Sequence, residues 1–190
     1  GTINVAIPNG PTIPVAIQQY SPGLTAPLSY GTNTWRWIIK NDTKLTDKNT
    51  LTSRYIIYDS ANPGAPTGNP LNRVGQNNRD QSLTFNDTHV FSAITLNEAR
   101  LTYTRRAINF PENFPQYFSI SGFNSVGNTS YPQHRTDNGY EYTDNFSFIR
   151  GRHTFKAGFN LYHVSLYSFF PANMRGSVTY TSLANFLQIG

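Results

Sequence analysis

An all-β chain, folded as an antiparallel up-and-down meander and serving as part of a transmembrane β-barrel wall, is predicted by three observations. After residue 33 the chain breaks into runs that alternate apolar and polar with period two, the signature of strands. The connections between those runs alternate between short and long. The composition joins few charged residues (13%) to many aromatic ones (14%), whereas an average soluble domain is about 25% charged.

With 190 residues, the chain can build one domain of useful size. Asn, Thr, Ser, Tyr and Phe fill the places that aliphatic residues take in a soluble core. That blend suits a sheet with one apolar face and one polar, uncharged face. Cysteine is absent, which excludes a disulfide scaffold, a zinc ribbon and thiol catalysis. The net charge is +5 and the pI about 9.5, yet the basic residues are dispersed from Arg36 to Arg175, with Arg150-Gly151-Arg152 the densest run. Nucleic-acid binders cluster such charge on one face, so no nucleic-acid partner is expected. No stretch approaches the ~20 apolar residues of a spanning helix. The first residue is Gly1 and no signal peptide is legible, so the chain is expected to be a processed product or an internal piece of a longer protein.

Taken in order, residues 1–33 carry Pro8, Pro11, Pro14, Pro22 and Pro27 and read as an irregular extended segment. Residues 34–190 read as barrel wall. The candidate strands are 34–42, 49–59, 82–91, 96–107, 137–149, 153–167 and 176–181. At roughly 9–15 residues for all but the last, they exceed the ~5–6 of a globular strand and are long enough to cross a bilayer when tilted.

The pair 137–149 and 153–167 is the clearest. Folding it about Arg150-Gly151-Arg152-His153 sets Phe148 opposite Phe155, Phe146 opposite Ala157 and Tyr142 opposite Leu161. Asp144 then falls on the apolar side, opposite Phe159. In the pair 82–91 and 96–107, centring on Ser92-Ala93-Ile94-Thr95 sets Asp87 opposite Arg100 and His89 opposite Glu98, a register favoured by opposite charges. Connections 43–48, 92–95 and 150–152 are short. Connections 60–81 and 108–136 are long, and 168–175 is intermediate. A meander would therefore have tight turns at one rim and large loops at the other, as outer-membrane barrels do.

This reading assigns a lumen-facing set of Asp87, His89, Glu98, Arg100, Glu141, Lys156 and Asn160. It assigns a lipid-facing set of Ala99, Leu101, Tyr140, Tyr142, Phe146, Phe148, Phe155, Phe159 and Leu161. The aromatic loop 108–136, with Phe110, Phe114, Tyr117, Phe118, Phe123 and Tyr131, supplies candidate contacts for a sugar or peptide. The alternative is a loop that packs its own rings over the barrel mouth.

Little else points to chemistry. A nucleophile elbow, a P-loop, a dinucleotide fingerprint and a zincin motif are missing. The histidines His89, His134, His153 and His163 lie far apart in sequence. His153 and His163 share a strand face but stand ~30 Å apart at ~3.3 Å per residue. The cluster of Asp137, Asn138, Glu141 and Asp144 lacks the ligand spacing of a calcium loop and reads as a turn into a strand. Glycosylation-like matches at Asn41, Asn86, Asn128 and Asn145 are chance products of an Asn-rich chain. No catalytic residue, metal or cofactor is expected.

Several segments resemble TonB-dependent receptors of the Oar-like group, which carry a carboxypeptidase-regulatory-like domain before the plug. The first is Trp35-Arg36-Trp37 through Lys40-Asn41-Asp42, followed by Leu45 to Leu51 and Arg54-Tyr55. The second runs from Thr88 to Ser92 and on into Leu96 to Leu101. The third and strongest runs from Tyr142 to Gly158. Arg175 to Tyr180 and Leu183 to Leu187 follow in the family's order. The resemblance implies a plugged barrel of about 22 strands that imports a scarce nutrient with energy relayed from the inner membrane. Its implied partners are outer-membrane lipid, the remainder of the barrel and plug, and the TonB system through an N-terminal part. The regulatory domain, the TonB box and the plug have no counterpart in these residues, so transport would belong to the larger protein. Unpaired sheet edges would also invite self-association. Two other readings stand beside this one. A secreted β-sandwich of lectin type would pack its apolar faces together. A small closed barrel would act as a passive pore or surface anchor.

Overall fold

Once paired on both sides, a strand keeps its ladder of backbone hydrogen bonds through stretches where side-chain alternation lapses. The wall strands accordingly run longer than alternation alone predicts. The computed structural model describes residues 2–6, 10–16, 31–64, 74–111, 117–122 and 125–188.

Six long strands form one antiparallel sheet: β3 (Asn33–Thr46), β4 (Asn49–Asn62), β5 (Gln76–Ser92), β6 (Thr95–Phe110), β8 (Gln133–Arg150) and β9 (His153–Phe169). Their spatial order follows the chain. Outside it lie β1 (Thr2–Ala6), β2 (Thr12–Ala16), β7 (Phe118–Ile120), β10 (Val178–Tyr180) and the short helix α1 (Leu183–Leu187). Tight turns at Asp47-Lys48, Ala93-Ile94 and Gly151-Arg152 mark one end of the sheet. The long connections leave from the other, as the alternation of connection lengths predicts.

Two expectations need correction. Segment 1–33 is not wholly irregular, because β1 and β2 pair as a hairpin with Asn4 opposite Pro14. Proline is tolerated in an edge strand, where no neighbour requires its missing N–H. The strand expected at 176–181 does not join the wall either. Its core, β10, pairs in parallel with β7 from the preceding long connection, so the wall has six described strands.

The register of β8 and β9 matches the expected one, with Phe148 opposite Phe155, Phe146 opposite Ala157, Asp144 opposite Phe159 and Tyr142 opposite Leu161. The register of β5 and β6 does not. Ser92 pairs with Thr95 but Val90 pairs with Leu96, so Phe91 is an extra, bulged residue. Everything beyond it shifts by one. Asp87 lies opposite Ala99 rather than Arg100, and His89 opposite Asn97 rather than Glu98. The same shift sets Phe85 opposite Leu101 and Leu83 opposite Tyr103. Two apolar side chains are thereby kept on the apolar face, each worth ~1.5–3 kcal/mol when removed from water. The forgone ion pairs would contribute only ~0.2–1 kcal/mol each. Apolar patterning outweighs charge pairing here.

No second layer covers the sheet among the described residues. Phe146 is 43% exposed, Phe155 57% and Phe159 51%, and no large side chain there is fully buried. A soluble sandwich would seal one face of such a sheet against another.

Candidate functional site: two faces and a loop-built rim

The pairing registers sort every wall side chain onto one of two faces. One carries Trp35, Trp37 and Ile39 on β3, Leu51, Tyr55 and Ile57 on β4, and Leu83 and Phe85 on β5. It continues with Ala99, Leu101 and Tyr103 on β6, Tyr140, Tyr142, Phe146 and Phe148 on β8, and Phe155, Phe159 and Leu161 on β9. The whole set expected to meet lipid is therefore on one side.

This apolar band does not cross the strands at a right angle. The row that begins at Trp37 passes through Ile57, Gln81, Arg105 and Asn138 to reach Ser165 on β9. The centre of the apolar run on β9 is instead Phe159, nearer the turn. That displacement is about 20 Å at ~3.3 Å per residue, across about 24 Å of sheet at ~4.8 Å per strand, an incline of roughly 40°. Strands in closed barrels tilt by about 35–45° from the barrel axis. A band level with the membrane would be inclined to the hydrogen-bond rows by that amount.

Polar groups on the apolar face gather toward its two ends. Near the loop rim, Arg79 Nε lies 2.7 Å from Asp59 Oδ2, and the Tyr103 hydroxyl donates to Asn138 Oδ1 at 2.9 Å. Near the turns, Asn49 Nδ2 donates to Asp87 Oδ2 at 3.3 Å and lies 3.1 Å from His89 Nδ1. His89 in turn packs on Phe91, with ring centroids 4.3 Å apart. Among the charged groups Asp144 is the exception, because it sits within the band between Tyr142 and Phe146. The Tyr142 hydroxyl is 3.4 Å from its Oδ2, while its buried Oδ1 has no hydrogen-bond partner.

The opposite face is polar. Of the residues expected to line a lumen, Glu98, Arg100, Glu141, Lys156 and Asn160 lie on it together. Asp87 and His89 do not, and their removal to the apolar face follows from the bulge at Phe91. Asn160 Nδ2 donates to Glu141 Oε1 and, at 2.9 Å, to Thr143 Oγ1. A hollow of about 450 Å³ opens beside them, lined by Thr102, Thr104, Gly139, Glu141, Asn160 and Tyr162. A side chain at Gly139 would force its neighbours there to shift. A Cβ would stand 2.6 Å from Thr104 Oγ1 and 3.0 Å from the Tyr162 hydroxyl.

At the loop rim, the β6–β8 connection and the segment after β9 fold together. Val178 N donates to Tyr117 O at 3.2 Å, Ser121 N to Tyr180 O at 2.9 Å and Asn173 N to Thr129 O at 3.1 Å. Phe118 stacks on Phe186 at 6.1 Å, and Tyr180 meets Phe186 edge-on at 5.1 Å. Phe110 and Tyr131 approach to 6.0 Å at the base of the connection. Of the candidate loop contacts, Phe110, Tyr117, Phe118 and Tyr131 are thus placed, whereas Phe114 and Phe123 lie outside the described residues. The aromatic count alone did not disclose that the partner of this loop is the segment after β9. It likewise did not disclose that Asn128, Asn173 and Ser177 line the rim.

Comparison with curated proteins and with solved structures found no match. A family model described as an outer membrane beta barrel domain matches residues 5–188. The unlayered six-stranded meander, its inclined apolar band and its asymmetric rims agree with that match. The chain belongs to the outer membrane beta barrel domain family and is a protein of the bacterial outer membrane.

Proposed function

We propose that this chain is a wall segment of a TonB-dependent outer-membrane transporter that imports a nutrient such as a sugar, a peptide or a metal chelate. The observation that carries the reading is the open sheet. The outermost strands β3 and β9 are 14 and 17 residues long, and neither has a second neighbour among the described residues. Bare edges of that length are not stable in a bilayer, where each unpaired backbone group costs several kcal/mol. Both edges call for partner strands, and a wall of more strands than these six supplies them. The resemblance of residues 34–190 to Oar-like receptors supports energy-coupled import.

In this assignment the apolar band meets lipid. The polar face, with Glu98, Arg100, Glu141, Lys156 and Asn160, lines a lumen occupied by a plug. The segment would have no catalytic role and would require no cofactor.

Uptake by cells expressing the full-length protein tests the reading. Import should stop when the energy-transducing inner-membrane complex is deleted and resume when it is restored. Uptake that is indifferent to that deletion would mark a passive channel instead.

A further inference from the structure

The rim assembly carries two open hollows, each of about 470 Å³, that share Tyr117 in their linings. Their chemistry differs. One is lined with rings, from Phe118, Tyr180 and Phe186, and with Arg175. The other is lined, besides Tyr117, by Ser125, Gly127, Asn128, Thr129, Asn173 and Ser177, with no carboxylate, ammonium or guanidinium among the described residues that line it.

We propose that this second hollow binds an uncharged saccharide, its ring laid against Tyr117 and its hydroxyls exchanging hydrogen bonds with the surrounding amides and hydroxyls. Amides and hydroxyls both donate and accept, as sugar hydroxyls do. An aromatic side chain offers a large apolar surface with a polar tip. The hollow's volume falls in the ~300–1,000 Å³ range of small-ligand sites, but its lining is more polar than most of them. The described lining gives a uronate or a charged peptide no counter-ion.

The backbone fixes where the second loop meets this hollow. Ala172 has φ 41° and Asn173 φ 71°, both in the left-handed region. They are the central residues of a turn closed by Met174 N donating to Pro171 O at 2.8 Å, and primed turns take positive φ at both central positions. Here the Asn173 N–H is tied to Thr129 O of the other loop at 3.1 Å. That bond ties the backbone of Asn173 to the other loop at the wall of the hollow. The site is composite, because neither loop forms it alone.

Equilibrium binding to the full-length protein in outer-membrane vesicles tests the proposal. It needs no energised import, so its outcome is separate from that of the transport reading. The probes are maltotriose, xylotriose and chitotriose, with trigalacturonate and trialanine as charged comparators. At least one neutral trimer should bind, and more tightly than either comparator. Tyr117→Leu should weaken that binding roughly tenfold or more. Asn173→Gly keeps the left-handed backbone while removing the amide, and should weaken it by roughly threefold or more with barrel migration on gels unchanged. If Tyr117→Leu fails to fold, Asn173→Gly carries the test. Lack of binding by all three neutral trimers, tighter binding of trigalacturonate or trialanine, or binding indifferent to Asn173→Gly would overturn the proposal.

Discussion

Hairpins β5–β6 and β8–β9 perform the same task with different turns. The β8–β9 turn contains Gly151 at φ 59°, and its ladder is unbroken from Arg150 and His153 to His134 and Phe169. The β5–β6 turn, Ala93-Ile94, has no glycine and no residue of positive φ, and a bulge at Phe91 interrupts its ladder. Hairpin β3–β4 repeats the second case. Its turn is Asp47-Lys48, and its bulge falls at Leu45. Two-residue turns with positive φ match the twist of the strands they join, whereas ordinary turns splay them. A bulge restores the local twist at the cost of one register step. In this molecule turn chemistry decides whether a hairpin is bulged, and the apolar face accepts only the register that results.

Substitutions can break or sharpen that comparison. The largest effect is expected from Phe159→Arg in β9 and Phe85→Arg in β5. Each should cost ~2–4 kcal/mol in a folding titration in lipid, because both lie near the middle of the band. Thr84→Arg, one residue away on the polar face, should cost far less. Equal losses from Phe85→Arg and Thr84→Arg would contradict the bulged register. Next, Gly139→Val in β8 should cost ~1–3 kcal/mol in the same titration, since its side chain enters space held by Thr104 and Tyr162. Asp144→Leu should act in the opposite direction and raise stability by roughly 1 kcal/mol, by removing a carboxylate from the apolar band. A loss there would show that Asp144 has a partner in the complete barrel. Arg100→Ala is the smallest, within about 0.5 kcal/mol, because the bulge denies it the expected pairing with Asp87.

Much of this was legible in the residues, and the failures have physical causes. Period-two alternation located all six wall strands, and rim asymmetry was visible in the connection lengths. The β8–β9 register was readable because a glycine turn adds no residue to either strand. The β5–β6 register was not. Opposing Asp87 to Arg100 looked favourable on charge, but charge pairing is weak against apolar patterning, and a bulge leaves no mark on alternation beyond a one-step slip. Strand ends were underestimated around Asn77-Asn78-Arg79, where amides and charges give no alternation while backbone pairing continues. The rim was the least legible part. Parallel pairing of β7 with β10 joins residues some sixty positions apart, as the Ser119–Thr179 hydroxyl contact at 3.3 Å shows, and short strands of that kind depend on tertiary context.

Everything proposed for this wall turns on which face meets hydrocarbon. Residues 1–190 include no cysteine, so single cysteines placed among them, in a protein otherwise freed of cysteine, report position. In outer-membrane vesicles, Phe85→Cys, Leu101→Cys and Phe159→Cys should resist a water-soluble maleimide and react with a lipid-borne one. Thr84→Cys, Arg100→Cys and Asn160→Cys should show the reverse. Aqueous labelling of Phe85→Cys, Leu101→Cys and Phe159→Cys with the polar-face set protected would contradict the assignment of the apolar band to lipid.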